Sequence, residues 1–349
     1  MSNNADGASE HATARAQLDA LWHRGREFLG SDYAILGGAM SWVSERNLVA
    51  AISNSGGFGV IACGSLEPPG LREEIAATFG LTDKPFGVNL ITMHPELDGL
   101  IDCCLDFEVG HIVLAGGLPP VDAIDRIKSG GAKVLCFAPT LSVARKLLRR
   151  GVDAFIIEGM EAGGHTGPVA TGVLSQEILP ELREVPVFVG GGIGRGESIA
   201  AFLEMGASGV QLGTRFVCAE ESIAHANFKQ AFIRSNARDA QPSVQLDPKF
   251  PVIPVRAIVN KATVLFMETQ RDVIARFRAG EVDQKAAQLE IERFWAGALR
   301  SAVIDGDIDH GSVMAGQSVG MVTREQPMSD IIGELVEQTL TTLARRPEA

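Results

Sequence analysis

Two short apolar runs that each lead into glycine, PVFVGGG (186–192) and GVQLGTR (209–215), decide how the rest of the chain is interpreted. Six further runs of the same kind precede them at nearly regular intervals. They are AILGGAM (34–40), FGVIAC (58–63), PFGVNLI (85–91), HIVLAGG (111–117), KVLCFAP (133–139) and AFIIEG (154–159). The hydrophobicity of these runs is continuous rather than alternating, which is typical of strands buried on both faces. The sequence therefore predicts eight parallel strands.

Segments with helical spacing lie between the runs. Examples are SERNLVAAISNSG (44–56), PVDAIDRIKSGG (120–131), TLSVARKLLRRG (140–151) and GESIAAFLEMGA (196–207). Several of them end in glycine, as helix C-caps do. Eight strand–helix repeats predict an α/β fold of the TIM (β/α)8 barrel type. An open doubly wound sheet is the alternative, because periodicity alone does not establish closure.

Two regions lie outside the repeat. Residues 1–32 form an N-terminal extension, a polar leader followed by an amphipathic helix, and residues 33–221 form the barrel. Residues 222–309 contain helical patterns with a proline-rich break, LDPKFPVIPV (246–255), and we interpret them as a smaller, mainly helical domain inserted after strand eight. Residues 310–349 are a glycine-rich loop and a helix that return to the barrel.

Composition restricts the function classes. The 349 residues carry 31 Lys and Arg against 43 Asp and Glu, and this net charge of −12 argues against nucleic acid or an anionic membrane as a partner. The five cysteines form no C-x-x-C pair, and the histidines have no metal-ligand spacing, so we expect neither a disulfide framework nor a metal site. No signal-peptide pattern or long apolar run is present, and we expect a cytoplasmic protein.

Glycines follow the last two predicted strands. In a barrel of this kind, ligands bind where the strands end, and the loops after strands seven and eight often hold a phosphate. Glycine lets the backbone approach the phosphate with its N–H groups exposed. Gly191 and Gly192, together with Gln211, Leu212, Gly213 and Thr214, are therefore candidate phosphate ligands. A tight turn without a ligand is the alternative.

A histidine follows the sixth predicted strand in EGMEAGGHTG (158–167). His165 at this position is a candidate general base or acid, and the adjacent Gly163 and Gly164 leave room for a ring or a substrate. A histidine that is hydrogen-bonded within its own loop is the alternative. Glu158, at the end of the strand, either accepts hydrogen bonds from a ligand or caps the neighbouring turn.

Three other segments contain candidate site residues. Asn89 ends the third run and offers both a donor and an acceptor, although a satisfied core asparagine explains it equally well. The small residues Gly38, Ala39 and Met40 follow the first run. Gln317 lies in MAGQSVGMV (314–322), whose interleaved glycines suit a loop packed over a cofactor, and the alternative is a turn before the last helix.

These motifs in combination resemble the nitronate monooxygenases, formerly called 2-nitropropane dioxygenases, and equally the related flavin-dependent enoyl-ACP reductases. The likeness rests on EGMEAGGH, GGGI (190–193), QLGTRF (211–216) and MAGQSVGMV, and it covers about residues 33–322. The resemblance implies a TIM barrel that holds FMN without a covalent bond, with His165 as the catalytic base or acid. It further implies that Asn89, Glu158 and Gly163 lie at the flavin ring and that Gln317 approaches the site. Gly191, Gly192 and residues 211–214 match the family's phosphate-binding positions.

The chain departs from the family pattern at two places, the first bearing on flavin contacts and the second on the substrate. The first-strand motif usually reads close to I-Q-G-P-M, whereas this chain has LGGAM (36–40). Many nitronate monooxygenases have Gln where this chain has Glu158, and the motif EGMEAGGH is closer to that of the reductases. The resemblance implies oxidation of alkyl nitronates or nitroalkanes by O2. The alternatives are an NAD(P)H-dependent FMN reductase of enoyl thioesters or quinones and a catalytically silent flavin-binding protein. The oligomeric state stays open, with a homodimer as one option.

Overall fold

The computed structural model describes residues 3–247 and 253–345 of the chain. Its strands are β1 (Ile35–Gly37), β2 (Val60–Ala62), β3 (Gly87–Ile91), β4 (His111–Ala115), β5 (Lys133–Phe137), β6 (Ala154–Glu158), β7 (Gly164–His165), β8 (Val187–Gly190), β9 (Gly209–Leu212), β10 (Ala240–Pro242) and β11 (Val255–Ile258). Its first helices are α1 (Asn3–Leu21), α2 (His23–Leu29), α3 (Arg46–Asn54), α4 (Pro68–Leu81), α5 (Leu97–Asp106), α6 (Val121–Ser129) and α7 (Leu141–Leu148). The others are α8 (Thr171–Ile178), α9 (Gly196–Glu204), α10 (Ala226–Arg234), α11 (Lys261–Arg278), α12 (Gln284–Arg300) and α13 (Met328–Ala344).

Eight of these strands form one parallel sheet, and each lies inside one of the eight apolar runs. Their order is β1-β9-β8-β6-β5-β4-β3-β2. The sheet closes between its two end strands through a parallel bridge from Leu36 to Phe58. There the Gly37 N–H donates to the Phe58 carbonyl (2.8 Å), and the Phe58 N–H donates to the Ile35 carbonyl (2.9 Å). The predicted TIM barrel is confirmed, and closure excludes the open sheet.

The last helix of the chain completes the ring of helices around the barrel. α13 packs against both α9 and α3, although residues 213–327 separate it from β9. The Gly196 N–H, at the start of α9, donates to Gln338 Oε1 (2.9 Å), and the Thr339 hydroxyl donates to the Gly196 carbonyl (3.2 Å). The region between β9 and α13 is thus an excursion from a regular barrel.

The N-terminal extension closes the base of the barrel. The sequence indicated a polar leader, but α1 is helical from Asn3, with Ala14 and Leu18 of α1 and the following Trp22 buried at i, i+4 and i+8. At the C-terminal end of α2, the Phe28 carbonyl accepts hydrogen bonds from His111 Nε2 (2.8 Å) and from the Lys133 ammonium group. Burial lowers the pKa of His111 to about 4, so its imidazole is neutral. None of the helices in the described ranges has the length and apolar character of a membrane span.

A second sheet, which the sequence did not indicate, combines two strands of the excursion with β7. It has three antiparallel strands in the order β10-β11-β7, and β11 follows the proline-rich break. Residues 248–252 of that break lie outside the described residues. The helical patterns of this region are present as α10, α11 and α12, and α11 and α12 form their own apolar cluster around Phe266 and Trp295. Because β7 contains His165, this small sheet connects the excursion to the loop after β6.

Candidate active site

A cavity of about 610 Å³ lies at the carboxyl ends of the barrel strands. Most of the residues predicted from the sequence line it. They are Gly38, Ala39, Met40, Asn89, Glu158, Gly163, Gly164, His165, Gly191, Gly192, Gln211, Leu212, Gly213 and Thr214. This is the end of a TIM barrel at which active sites are built, and the volume suits a cofactor together with a small substrate.

The loop after β8 needs glycine for two reasons. Gly191 and Gly192 both have positive φ angles, 96° and 72°, which strain other residues. A Cβ on Gly191 would also lie 2.9 Å from Thr171 Oγ1 and 3.0 Å from the Gly159 nitrogen. Thr171 also holds the loop after β6. Both its backbone N–H (2.9 Å) and its hydroxyl group (2.8 Å) donate hydrogen bonds to Glu161 Oε2. The backbone at this loop is thereby fixed and open toward the cavity.

Glu158 ends β6 at the floor of the cavity. Its Oε2 accepts a hydrogen bond of 3.1 Å from Gln211 Nε2 at the end of β9. Burial raises the pKa of Glu158 to about 7, against the opposing effects of the Gln211 hydrogen bond and the charge of His165. The carboxyl group is therefore poised between its neutral and charged forms near pH 7, which suits proton transfer.

His165 is exposed to the cavity and is held from behind by the small sheet. It pairs with Val255 of β11, and the following Thr166 N–H donates to the Pro254 carbonyl (2.9 Å). Arg256, which is only 2% exposed, donates from Nε to the Met160 carbonyl (2.9 Å) and from Nη1 to the Ala240 carbonyl (2.5 Å). Arg256 therefore ties the loop after β6 to the excursion. Sequence reasoning missed it because its partners are distant backbone carbonyls.

The C-terminal segment docks onto the same loop. The Gly316 N–H donates to Thr214 Oγ1 (2.9 Å), and the Gln317 N–H donates to the Glu161 carbonyl (2.9 Å). Met314 and Ser318 line the cavity, whereas Gln317, the residue predicted from the sequence, is not among the lining residues. The segment thus reaches the cavity through its neighbours, with Gln317 contributing a backbone hydrogen bond.

The loop after β1 forms another wall. The Gly38 N–H donates to the Leu212 carbonyl (2.8 Å), and the Ser44 hydroxyl donates to the Gly38 carbonyl (2.8 Å), so Gly38 to Met40 lie beside the end of β9. Trp42, which also lines the cavity, has a φ of 66°, an uncommon value for a residue with a bulky side chain. The sequence motif gave no signal for Trp42 because the strain depends on the folded loop.

Part of the outer wall comes from the excursion and was also missed. Ile253, together with Arg293, Trp295 and Leu299 of α12, lines the cavity. In the sequence these residues belong to an ordinary amphipathic helix, and no spacing distinguishes a cavity wall from a domain core. The titratable or charged side chains among the lining residues are Glu158, His165 and Arg293. The site can therefore move protons with a histidine and a carboxyl group in mostly apolar surroundings.

A closed TIM barrel with an acid–base pair at a glycine-lined cavity defines an enzyme site, and comparison with known proteins gives the family. The sequence profile of the nitronate monooxygenase family matches residues 24–100 and 96–338. The chain belongs to this family and is an oxidoreductase of the nitronate monooxygenase type.

Individual relatives differ in their reactions. A Rhodococcus jostii protein, (3aS,4S,5R,7aS)-5-hydroxy-7a-methyl-1-oxo-octahydro-1H-indene-4-carboxyl-CoA dehydrogenase, is 29% identical over 90% of this chain and 94% of its own length. The structure of FabK from Thermotoga maritima is 33% identical with a TM-score of 0.82, covering 92% of this chain and 96% of that one. The nitroalkane oxidase of Streptomyces ansochromogenes is 26% identical with a TM-score of 0.74, covering 89% and 97%. The relatives therefore share the scaffold but include enzymes named for different substrates.

The raised pKa of Glu158 predicts a pH-dependent stability. The folded chain holds the proton up to about pH 7, whereas an unfolded glutamate releases it near pH 4.5, so wild-type stability should fall as the pH rises through this interval. The loss is at most roughly 3 kcal/mol, at about 1.4 kcal/mol per pKa unit. Glu158→Gln should therefore unfold at higher urea concentration than wild type at pH 8 but at a similar concentration at pH 4.5.

The exposed Glu281 is the control, because Glu281→Gln should leave the difference between the two pH values unchanged. If the free energy of unfolding of Glu158→Gln relative to wild type is the same at pH 4.5 and pH 8, the Glu158 carboxyl ionises normally in the folded chain.

Proposed function

We propose that the chain is an FMN-dependent oxidoreductase that oxidises alkyl nitronates or nitroalkanes with O2. The observation that carries the proposal is the position of His165, which faces a glycine-lined cavity at the carboxyl end of β6. Membership of the nitronate monooxygenase family and the likeness to a nitroalkane oxidase structure support it. The proposed partners are a small-molecule substrate and O2.

The chain's residues fit FMN. Gly191 and Gly192 after β8, and Gly213 and Thr214 after β9, would hold the phosphate, because these strand-end residues line the cavity and the loop after β8 has the positive φ angles that glycine allows. Gly38 to Met40 and Asn89 would contact the ring from the loop after β1 and from β3. When bound, FMN supplies the ring that takes electrons from the substrate and passes them to O2. The remaining space beside His165 would receive the substrate.

The cofactor assignment is tested by releasing the ligand from the purified protein with acid. We expect one FMN per chain, since the proposed phosphate-binding loops after β8 and β9 line one cavity. Chromatography that finds an adenine-containing flavin, or no flavin after reconstitution with FMN, would contradict the assignment.

His165 is proposed to remove the acidic proton from the carbon next to the nitro group. Imidazole suits this task because histidine as a class titrates near neutral pH, and a positioned base contributes about 10²–10⁴-fold. The pairing of β7 with β11 holds the His165 backbone in place. A nitronate, which has already lost this proton, needs the base less than a neutral nitroalkane does.

Replacing His165 with alanine should therefore leave FMN bound and lower turnover of a neutral nitroalkane by about 100-fold or more. Turnover of the pre-formed nitronate should fall much less. His23→Ala is the control, because His23 is an exposed residue of α2 at the base of the barrel. Equal activity of His165→Ala and wild type on both substrates would remove His165 from the mechanism.

A second candidate is an NAD(P)H-dependent reductase of enoyl thioesters on the same scaffold. Glu158 favours it, because the ionised form of this carboxyl group at the cavity floor repels an anionic nitronate but not a neutral thioester carbonyl. The likeness to FabK, an enoyl-ACP reductase, and to a CoA-ester dehydrogenase supports it as well. In this reaction His165 would donate a proton to the substrate carbon rather than remove one.

Anaerobic mixing separates the two candidates. For the nitronate oxidase we expect the flavin colour to be lost with alkyl nitronate, to persist with NADH or NADPH, and to return with O2. Rapid bleaching by NADPH followed by recovery with crotonyl-CoA would reject the oxidase in favour of the reductase. Stable flavin with every donor would indicate a catalytically silent flavin-binding protein.

A further inference from the structure

The outer wall of the cavity differs in charge from its floor. Glu158 and His165 lie at the strand ends, whereas Arg293 comes from α12 in the excursion. Of the described residues that line the cavity, Arg293 alone carries a permanent positive charge. Its side chain is exposed, so its guanidinium group is available to a ligand.

Three other arginines of α11 and α12 form ion pairs. Arg276 contacts Glu290 (2.5 Å), Arg278 contacts Asp247 (2.6 Å) and Arg300 contacts Asp305 (3.1 Å). Arg293, by contrast, forms no ion pair within residues 3–247 and 253–345. A guanidinium group that lines the cavity and has no ion pair among the described residues suits an external anion.

The surface around Arg293 is apolar. Ile253, Trp295 and Leu299 line the same wall, and Trp42 reaches it from the loop after β1. The Arg300 guanidinium lies 5.8 Å from the centre of the Trp42 ring, so this loop meets the end of α12. A ligand that reaches both Arg293 and the floor would therefore present an apolar body to these side chains and a charged group to Arg293.

We propose that Arg293 is a specificity-determining residue that binds an anionic oxygen group of the substrate, a phosphate or a carboxylate, away from the reacting carbon. The planar guanidinium forms paired hydrogen bonds with either group, so both share one recognition chemistry. The inference rests on the proposed function in taking the floor beside His165 as the place where the substrate reacts. Arg293 is a positioning residue and takes no part in proton or electron transfer.

Two matched substrate pairs test the proposal on the FMN-loaded full chain. In one pair, crotonyl-CoA carries phosphates and crotonyl-N-acetylcysteamine lacks them. In the other, 6-nitrohexanoate carries a carboxylate and 1-nitrohexane does not. Arg293→Ala should raise KM for an anionic member by roughly tenfold or more, as expected for loss of a charge-assisted hydrogen bond. It should leave kcat and the KM of the neutral member nearly unchanged, and Arg293→Lys should retain part of the preference.

Lys285→Ala is the matched control, because Lys285 is an exposed cation of the same helix that does not line the cavity. A KM effect of Arg293→Ala confined to the CoA pair identifies a phosphate, and one confined to the nitro pair identifies a carboxylate. Equal effects on anionic and neutral members, or no effect on either pair, would overturn the proposal.

A binding measurement separates this inference from the proposed function. Calorimetric titration of the oxidised holoprotein with hexanoyl-CoA and hexanoyl-N-acetylcysteamine, without an electron donor, involves no turnover. Loss of CoA-ester affinity in Arg293→Ala, in a protein that turns over no substrate, supports the Arg293 site and rejects the proposed function. Turnover of the nitro pair with no dependence of KM or affinity on Arg293 rejects the site and leaves the proposed function standing.

Discussion

The close approach of two backbones at Gly163 and Gly316 is the constraint on which the candidate site depends. A Cβ on Gly163 would lie 2.6 Å from the Gly316 nitrogen, and a Cβ on Gly316 would lie 2.8 Å from the Glu161 carbonyl oxygen. The same Gly316 N–H donates to Thr214 Oγ1, so the loop after β6, the end of β9 and the C-terminal segment meet at one point. His165 follows Gly163 by two residues, and its position relative to the loop after β9 is set by this contact. A side chain at either glycine would separate the three segments.

The barrel could be predicted from the sequence because its signal is local. Each strand lies within a continuous apolar run, and the spacing of the runs leaves room for one helix between them. The small sheet could not be predicted, because β7 is only Gly164 and His165 and its partner β11 lies far along the chain. A two-residue strand has no periodicity of its own, and only the fold brings its partner into register.

The same distinction applies to the site. The glycines of the loop after β8 and the exposed His165 carry motif signals, because the positive φ angles of that loop favour glycine and His165 follows two glycines shortly after a strand. Arg256 and the cavity-lining residues of α12 carry no motif signal. Nothing in the sequence around Arg256 marks it as a residue that bonds distant carbonyls, and α12 has the pattern of an ordinary amphipathic helix. Gln317 illustrates the limit within a motif. The segment does dock at the cavity, but in the structure Met314 and Ser318 line it, because the Gln317 backbone is bonded to the Glu161 carbonyl.

The excursion between β9 and α13 has two structural roles at the cavity. Through β11 and Arg256 it holds the loop that carries His165, and through α12 it supplies the outer wall of the cavity. Residues that position a reacting group tolerate little change, because a small displacement removes the group from its substrate. Residues of the outer wall contact the part of the substrate that does not react, so their replacement alters selectivity without dismantling the barrel. We therefore infer that β11 is the part of the excursion constrained by the position of His165, whereas the cavity-facing side chains of α12 can differ among relatives with different substrates.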